Sequence, residues 1–282
     1  MLRKRRPSVG LALGGGGARG LAHIGVLRVL EREHIPIDYL SGTSMGGVLA
    51  ALFASGMNSQ QLEQEAEKMN EVSFLLKLID FEIPERGLLK GGNLSEYLAG
   101  CVGSDQRFED LPIKLGLTAV DIRRGIEVTM ISGRLVPAVQ ATMALPGMVD
   151  PVEIGNHLLV DGGVLNNVPA DVVREMGAEL VIAVDVSPDV HDPDLWENMK
   201  IPSFSKHRWR TSTITIAALT EARLEKARPE FILRPNLSLT ITTITGFNHA
   251  DEIIAAGIAA AEAILPELRK ELRPSLRFGK TG

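Results

Sequence analysis

The stretch Gly42-Thr43-Ser44-Met45-Gly46 has the pattern G-x-S-x-G and lies between two segments of different character. Residues 37–41 are typical of the end of a strand, and residues 48–54 (VLAALFA) are typical of the start of a helix. A serine on such a turn projects above the sheet with its Oγ exposed, and glycines are needed there because flanking side chains would collide. The same pattern also occurs in ordinary Gly/Ser turns, so the surrounding chain has to decide between the two interpretations.

A second glycine-rich turn precedes this one in the chain. The apolar run Val9–Leu13 predicts a buried strand, residues 14–20 (GGGGARG) follow it, and residues 21–33 predict a helix. Free backbone N–H groups and the helix dipole at such a turn favour an anion or an oxyanion. The same glycines also satisfy G-x-G-x-x-G, and Asp38 lies 18 residues after Gly20, near the position of a ribose-binding acid. A dinucleotide site is therefore the main rival interpretation.

The composition is that of a globular protein without a basic field. The chain has 282 residues, of which 45% are hydrophobic and 23% charged, and its net charge is −5. This charge gives no indication of a nucleic-acid partner. The one cysteine, Cys101, fits a reducing compartment and predicts a buried, inert thiol.

The two ends of the chain predict tails rather than targeting signals. Residues 3–6 are four consecutive cations, which we interpret as part of a solvated basic tail over residues 1–8. The apolar run that follows is too short for a signal peptide, and no segment reaches the roughly 20 apolar residues that span a bilayer. We therefore expect a cytoplasmic protein with a single domain over residues 9–272 and a C-terminal tail over residues 273–282.

Strands alternate with helices along the chain, which predicts an α/β fold with three α/β/α layers and a mostly parallel central sheet. A hairpin is expected over residues 113–121 and 125–132, and the polar residues 190–209 are predicted to be irregular. Ser59 is predicted to cap a helix over residues 59–69, with residues 73–79 as its continuation and residues 81–93 as a surface loop. A final helix over residues 250–272 should be kinked or split at Pro266.

A third motif, Asp161-Gly162-Gly163, follows a later predicted strand. Together the three motifs resemble the patatin-like phospholipase family, of the bacterial or neuropathy-target-esterase-like type, over about residues 9–265. Besides the reacting residues, the match rests on Arg19, Gly20, Gly42, Gly46, Gly162 and Gly163. A fourth stretch, residues 141–147, is similar to the family's A-S-x-A-x-P segment, with Thr142 where serine is usual.

The resemblance implies a catalytic dyad in which Ser44 attacks a lipid ester and Asp161 accepts its proton directly. It also implies an oxyanion hole built from the backbone N–H groups of Gly15, Gly16 and Gly17, with no metal and no cofactor. A serine hydroxyl needs a base within hydrogen-bond reach, and the six histidines of the chain are poor candidates by position. Arg19 could bind a substrate phosphate or hold the loop, and we favour the structural role.

Other functions stay open at this stage. A nucleotide-binding oxidoreductase would explain the glycines but not Ser44 or Asp161, and a catalytically silent interaction module could retain the same fold. Acyl transfer to an acceptor other than water is a further alternative. The sequence gives no indication of the acyl chain, the head group or the oligomeric state.

Residues 196–210 carry both tryptophans of the chain together with several cations. The aromatic residues are Trp196, Phe204 and Trp209, and the interleaved cations are Lys200, Lys206, Arg208 and Arg210. Amphipathic aromatics beside cations suit a lipid headgroup interface, so we hypothesise peripheral contact with the inner membrane face and a lid over the site. A mobile solvated loop or a contact with a protein partner is the competing interpretation.

Overall fold

The computed structural model describes residues 2–68, 92–191, 204–238 and 246–278. Its main element is an eight-stranded sheet in the order β6-β7-β4-β3-β2-β8-β9, with β5 paired to β4, and β1 and β10 form a separate two-stranded sheet. The strands are β1 (Leu2–Arg5), β2 (Val9–Leu13), β3 (Tyr39–Gly42), β4 (Lys114–Asp121), β5 (Ile126–Met130), β6 (Val152–Ile154), β7 (His157–Asp161), β8 (Leu180–Val184), β9 (Phe231–Leu233) and β10 (Ser275–Phe278).

Helices cover the sheet and connect its parallel strands. The described helices are α1 (Ala22–Arg32), α2 (Ser44–Ala54), α3 (Ser59–Lys68), α4 (Gly92–Val102), α5 (Leu135–Thr142), α6 (Ala170–Met176), α7 (Phe204–Ala227) and α8 (Ala250–Glu271). Short 3-10 turns lie at Gly17–Leu21, Phe108–Asp110, Gly162–Val164 and Phe247–His249.

The sheet is mixed and mostly parallel in its centre, which confirms the predicted α/β class. β2 pairs in parallel with β3 and β8, β3 pairs in parallel with β4, and β8 with β9. The antiparallel pairs are β4 with β5, β4 with β7, and β6 with β7, so the predicted hairpin is also confirmed. β2 and β8 are buried along their whole length, because helices cover both faces of a central parallel strand.

Helices α1 and α8 pack against each other with very little space between their backbones. A Cβ built on Gly257 would lie 1.9 Å from the carbonyl oxygen of Ala22, and one built on Gly25 would lie 2.1 Å from that of Ile254. Any larger residue at either glycine would have to push the two helices apart. This contact holds the first turn of α1, and with it the glycine loop that precedes α1, against α8.

Two predictions about the helices were wrong. Residues 204–209 belong to the continuous helix α7 rather than to an irregular segment, and the helix α3 is capped by Asn58, whose Oδ1 accepts from Gln61 N–H at 2.9 Å, rather than by Ser59. Helix α8 runs through Pro266 as one helix, so the predicted split does not occur, while the predicted kink stays a prediction. Pro266 lies on the exposed face of α8, where water can bond the carbonyl that proline leaves unpaired.

Several predictions fall outside the described residues. They include the continuation over residues 73–79, most of the surface loop over residues 81–93, and the side chains of Trp196 and Lys200. The last two residues of that loop, Gly92 and Asn93, begin helix α4 instead.

The basic N-terminal segment is paired rather than free. β1 pairs with β10, and two arginines, Arg5 at the end of β1 and Arg6 after it, make ion pairs with the body of the protein. Arg5 bonds Glu179 with N–O distances of 2.6 and 2.9 Å, and Arg6 bonds Asp38 at 2.6 and 2.9 Å. A bidentate arginine–carboxylate pair fixes both groups geometrically, which a solvated tail does not require.

Candidate functional site

The sheet register brings the three sequence motifs to one edge. Leu13, the last residue of β2, pairs with Gly42, the last residue of β3, so the glycine loop and the G-x-S-x-G turn start side by side. Asp161 ends β7 opposite Ala119 of β4, two residues beyond the β4 position that pairs with Gly42. The motif residues therefore meet where the parallel strands end, which is the usual location of sites in open α/β sheets.

Ser44 lies on a strained turn at the first position of α2. Its φ is +53°, a left-handed conformation that serine rarely adopts and that persists only when the surroundings impose it. The flanking glycines allow the close packing of this turn. A Cβ on Gly46 would lie 2.3 Å from the carbonyl oxygen of Leu13, and one on Gly42 would lie 2.5 Å from that of Gly46.

The glycine loop passes directly beside Ser44. A Cβ built on Gly15 would lie 3.1 Å from the Cβ of Ser44 and 2.6 Å from Oδ1 of Asn167. Gly15 N–H donates to the backbone oxygen of Asn167 at 3.0 Å, and Asn167 Nδ2 donates back to Gly15 O at 3.2 Å. Gly15 N–H, predicted as an oxyanion donor, is therefore engaged within the protein. Gly16 N–H and Gly17 N–H have no partner among the described residues.

Asp161 is a buried carboxylate in which one oxygen accepts a hydrogen bond and the other accepts none from the described residues. Its Oδ1 accepts the N–H of Gly163 at 2.8 Å, and its buried Oδ2 has no partner at hydrogen-bonding geometry among the described residues. Burial raises the pKa of Asp161 to about 6, against the opposing influence of Gly163 N–H and of the nearby Ser44 side chain. The carboxylate is thus a stronger base than an exposed aspartate, and it lies near the Ser44 side chain.

Two residues of the first helical turns support the glycine loop. His23 is fully buried, and its Nε2 donates to the carbonyl oxygen of Gly14 at 2.7 Å. Burial lowers the pKa of His23 to about 4, so the ring is neutral at physiological pH. Arg19 Nε donates to the backbone oxygen of Val186 at 2.7 Å, and burial lowers the pKa of Arg19 to about 10. Arg19 therefore ties the loop to the end of β8 through backbone carbonyls, which agrees with a structural role.

The structure gives Thr142 of the fourth motif a hydrogen-bonding partner and adds polar residues that the motifs did not predict. Ser44 N–H donates to Oγ1 of the buried Thr142 at 3.0 Å, and Thr43 Oγ1 lies 2.6 Å from Thr118 Oγ1 and donates to Asn166 O at 2.8 Å. The sequence did offer a signal for Asn166 and Asn167, which lie four and five residues after Gly162. Asparagine side chains readily hydrogen-bond to nearby backbone groups, so two consecutive asparagines close to the Asp161-Gly162-Gly163 turn indicate that they bond to the backbone of a loop.

A family model of patatin-like phospholipases matches residues 11–174, which is more than half of the chain and includes all three motifs. The chain belongs to the patatin-like phospholipase family. Two curated relatives of this family are similar over nearly the whole chain. The mouse patatin-like phospholipase domain-containing protein 6 is 31% identical over 280 residues, and an uncharacterised NTE family protein of Mycobacterium tuberculosis is 32% identical over 277 residues.

These matches cover 91% and 92% of the present chain, but only 20% of the mouse protein and 46% of the mycobacterial protein. The chain thus spans less than half the length of these relatives. Among solved structures, VipD of Legionella pneumophila has a similar fold, with a TM-score of 0.52 and 12% identity over 94% of this chain and 68% of that protein.

The residue needed for a dinucleotide site lies at the wrong edge of this patatin-like sheet. Asp38 immediately precedes β3, so the length of the strand separates it from the glycine loop at the opposite edge. Its carboxylate bonds Arg6 at 2.6 Å and the backbone N–H of Val9 at 2.7 Å. Asp38 therefore supports the start of β2 and is not positioned for a ribose at the loop.

No histidine of the described chain hydrogen-bonds Ser44 or Asp161. His23 contacts the glycine loop, and His157 Nδ1 lies 2.8 Å from Oδ2 of Asp121, away from both residues. The described helices also include none that is long and apolar enough to span a membrane.

Proposed function

We propose that the chain is a serine acyl hydrolase that cleaves carboxylic ester bonds of phospholipids or lysophospholipids, with Ser44 as nucleophile and Asp161 as base. One observation carries the proposal: the strained turn places the Ser44 side chain beside the buried Asp161 carboxylate, whose Oδ2 has no hydrogen-bond partner among the described residues. The lipid substrate is inferred from the family model and from the names of the relatives.

In the first half of the reaction, Ser44 Oγ attacks the ester carbonyl and its proton passes to Asp161. The developing oxyanion is received by Gly16 N–H and Gly17 N–H, and each donor of this kind typically lowers the barrier by about 3 kcal/mol. The tetrahedral intermediate then collapses, the C–O bond to the alcohol breaks, and Asp161 returns the proton to the departing alkoxide. The acyl group stays on Ser44.

In the second half, water attacks the acyl-enzyme. Asp161 accepts a proton from that water, the fatty acid leaves, and the proton returns to Ser44 Oγ. A base works best when its pKa is close to the working pH, so burial of Asp161, which raises its pKa to about 6, favours both proton transfers.

The direct test compares wild type with Ser44→Ala and Asp161→Asn on p-nitrophenyl esters and on defined phospholipids and lysophospholipids. Both variants should lose at least about 1,000-fold in kcat while keeping the wild-type circular dichroism spectrum, since each removes a group of the covalent step. Saturable binding of NAD(H) together with undiminished esterase activity in Ser44→Ala would favour the oxidoreductase interpretation instead.

We further propose that the N-terminal part of α7 docks on anionic membranes and admits single lipids to Ser44. β8 and β9 are parallel, so α7 begins at the same edge of the sheet as Ser44 and returns along the sheet to β9. From residue 207 to residue 219 every side chain is exposed or half-buried, and Thr220 is the first buried residue. Residues 207–219 of α7 are about 20 Å long, at 1.5 Å per residue.

The charge of this helix segment supports the docking proposal. Residues 204–220 contain Lys206, Arg208 and Arg210 but no acidic residue, although the chain as a whole carries a net charge of −5. Trp209 and Ile214 are among the exposed large apolar side chains, with 41% and 43% of their surfaces accessible. Cations beside exposed aromatic and aliphatic side chains are typical of helices that bind anionic lipid headgroups.

A further inference from the structure

The connection between α5 and β6 contacts the backbones of both candidate reacting residues. Thr142, the last residue of α5, accepts Ser44 N–H on its Oγ1 at 3.0 Å. Two residues later, Ala144 O accepts Asp161 N–H at 2.9 Å. Thr142 and Ala144 are both fully buried, so neither bond competes with water.

Ser44 N–H needs a partner from outside its own helix. It is the first donor of α2, and such donors have no acceptor within the helix. The usual partner would be the side chain of the preceding residue, but Thr43 makes no capping bond and instead donates its hydroxyl to Asn166 O. Thr142 therefore supplies the acceptor that the strained turn lacks.

The side chain of Thr142 is itself closely confined. A Cβ built on Gly47 would lie 2.8 Å from Cγ2 and 3.2 Å from Oγ1 of Thr142, so the threonine methyl fills the space beside this glycine. The turn that follows is fixed by bonds from Ala144 N–H to Ala141 O at 3.3 Å and from Leu145 N–H to Met143 O at 2.9 Å. The acceptors at residues 142 and 144 consequently have a fixed separation.

We infer that Thr142 is a positioning residue whose hydroxyl holds the Ser44 backbone in its left-handed conformation, and that residues 142–144 set the separation of nucleophile and base. The inference rests on the proposed function, because it assigns these roles to Ser44 and Asp161. Thr142 touches neither substrate nor the transferred proton. Its contribution is to geometry, and displacement of a reacting group by about 1 Å can lower a rate about 100-fold.

The experiment compares Thr142→Val, Thr142→Ser and Thr142→Ala with wild type on a water-soluble short-chain ester. Valine keeps the shape but removes the acceptor, so kcat should fall about 10- to 100-fold while KM stays within about threefold. Serine keeps the acceptor and should restore kcat to within about threefold of wild type. The second-order rate of labelling by a fluorophosphonate, measured per folded molecule, should fall in parallel with kcat.

The matched control is Thr220→Val, which removes the hydroxyl of another buried threonine that bonds Ile216 O at 2.8 Å in α7. This variant should keep the wild-type kcat even if its melting temperature falls. If Thr142→Val does not fold, the comparison of Thr142→Ser with Thr142→Ala takes its place, and serine should be at least about tenfold faster.

Two results would overturn the inference. One is a kcat and labelling rate of Thr142→Val that match those of wild type, and the other is equal rates in Thr142→Ser and Thr142→Ala. Failure of the proposed function gives a different result, because Ser44→Ala would then retain activity or wild type would resist the fluorophosphonate altogether.

Discussion

At the scale of single residues, Asp161 links the proposed activity to stability. Burial raises its pKa from 3.8 to about 6, so the folded protein favours the neutral acid more than the unfolded chain does. Between pH 4 and pH 6 the folded state therefore binds more protons, and its stability falls as the pH rises through this window. Above pH 6 the ionised Asp161 destabilises the fold by about 3 kcal/mol.

The variant Asp161→Asn should consequently be more stable than wild type at pH 7.5 and equally stable near pH 4. Asparagine keeps an acceptor for Gly163 N–H and removes the buried charge, so the difference should reach about 2–3 kcal/mol. Urea unfolding at several pH values measures it. A variant that is less stable than wild type at pH 7.5, or equally stable at every pH, would contradict the assigned environment of the carboxylate.

The same pKa predicts how activity depends on pH. The ionised form of Asp161 is the base, so kcat/KM on a water-soluble ester should rise with pH and reach half of its plateau near pH 6. The profile from pH 4 to pH 9 checks this, with Thr220→Val as a variant whose midpoint should not move. A midpoint near pH 4 would indicate an exposed carboxylate, and one above pH 8 would indicate another base.

Residue types at the motifs could be read from the sequence, but their backbone contacts could not. The positions of Ser44 and Asp161 followed from turn chemistry, because glycines at fixed spacing mark the turns on which such residues lie. The engagement of Gly15 N–H by Asn167 O depends on a residue 152 positions away in the chain. No local pattern carries such long-range contacts.

At the scale of elements, the crossing of α1 and α8 is the most closely packed contact behind the glycine loop. Gly257→Ala would place a methyl group 1.9 Å from the carbonyl oxygen of Ala22, which is backbone and cannot rotate away. We expect a loss of at least about 2 kcal/mol in the free energy of unfolding. Activity should also fall, because α1 contains His23, which hydrogen-bonds the glycine loop at Gly14.

The matched control for this prediction is Gly100→Ala in α4, where a Cβ would have no atom within 4 Å. That substitution should stabilise the protein by about 0.5–1 kcal/mol, since alanine is the better helix former. Urea unfolding of both variants measures the two changes. Equal stability of Gly257→Ala and wild type would show that the two helices are less closely packed than described.

Elements with strong local patterns were predicted well, and those decided by long-range packing were not. The buried strands β2 and β8 and the hairpin of β4 and β5 follow from apolar runs and turn residues. The start of α7 was missed because residues 204–213 are mostly polar, so no apolar stripe indicates a helix. Pro266 does not split α8, since a proline on an exposed helix face leaves only a carbonyl that water can bond.

At the scale of the whole molecule, the cationic N-terminal part of α7 predicts binding to negatively charged membranes. Wild type should co-sediment with vesicles that contain anionic lipid and much less with neutral vesicles, and binding should weaken as salt is raised. Trp209→Ala and Lys206→Glu should each lower vesicle binding and lipid turnover severalfold. Hydrolysis of a water-soluble ester should be unchanged, because the chemistry at Ser44 is separate from docking.

The control for the docking prediction is Ile232→Ala in β9. Ile232 is 39% exposed, similar to Trp209. It lies in β9, which follows the C-terminal end of α7, and that end is about 27 Å from Trp209 along the helix axis. Its substitution should leave vesicle binding intact. If both variants of the α7 segment bind and turn over lipid like wild type, this surface is not the membrane contact.

The central claim is that Ser44, activated by Asp161, is the nucleophile of an acyl hydrolase. The most direct measurement treats wild type, Ser44→Ala and Asp161→Asn with a fluorophosphonate and locates the adduct by peptide mass spectrometry. We predict stoichiometric labelling of Ser44 in wild type, no adduct in Ser44→Ala, and labelling slowed at least about 100-fold in Asp161→Asn, because the base is lost. An adduct on another serine, or undiminished labelling of Ser44 in Asp161→Asn, would contradict the claim.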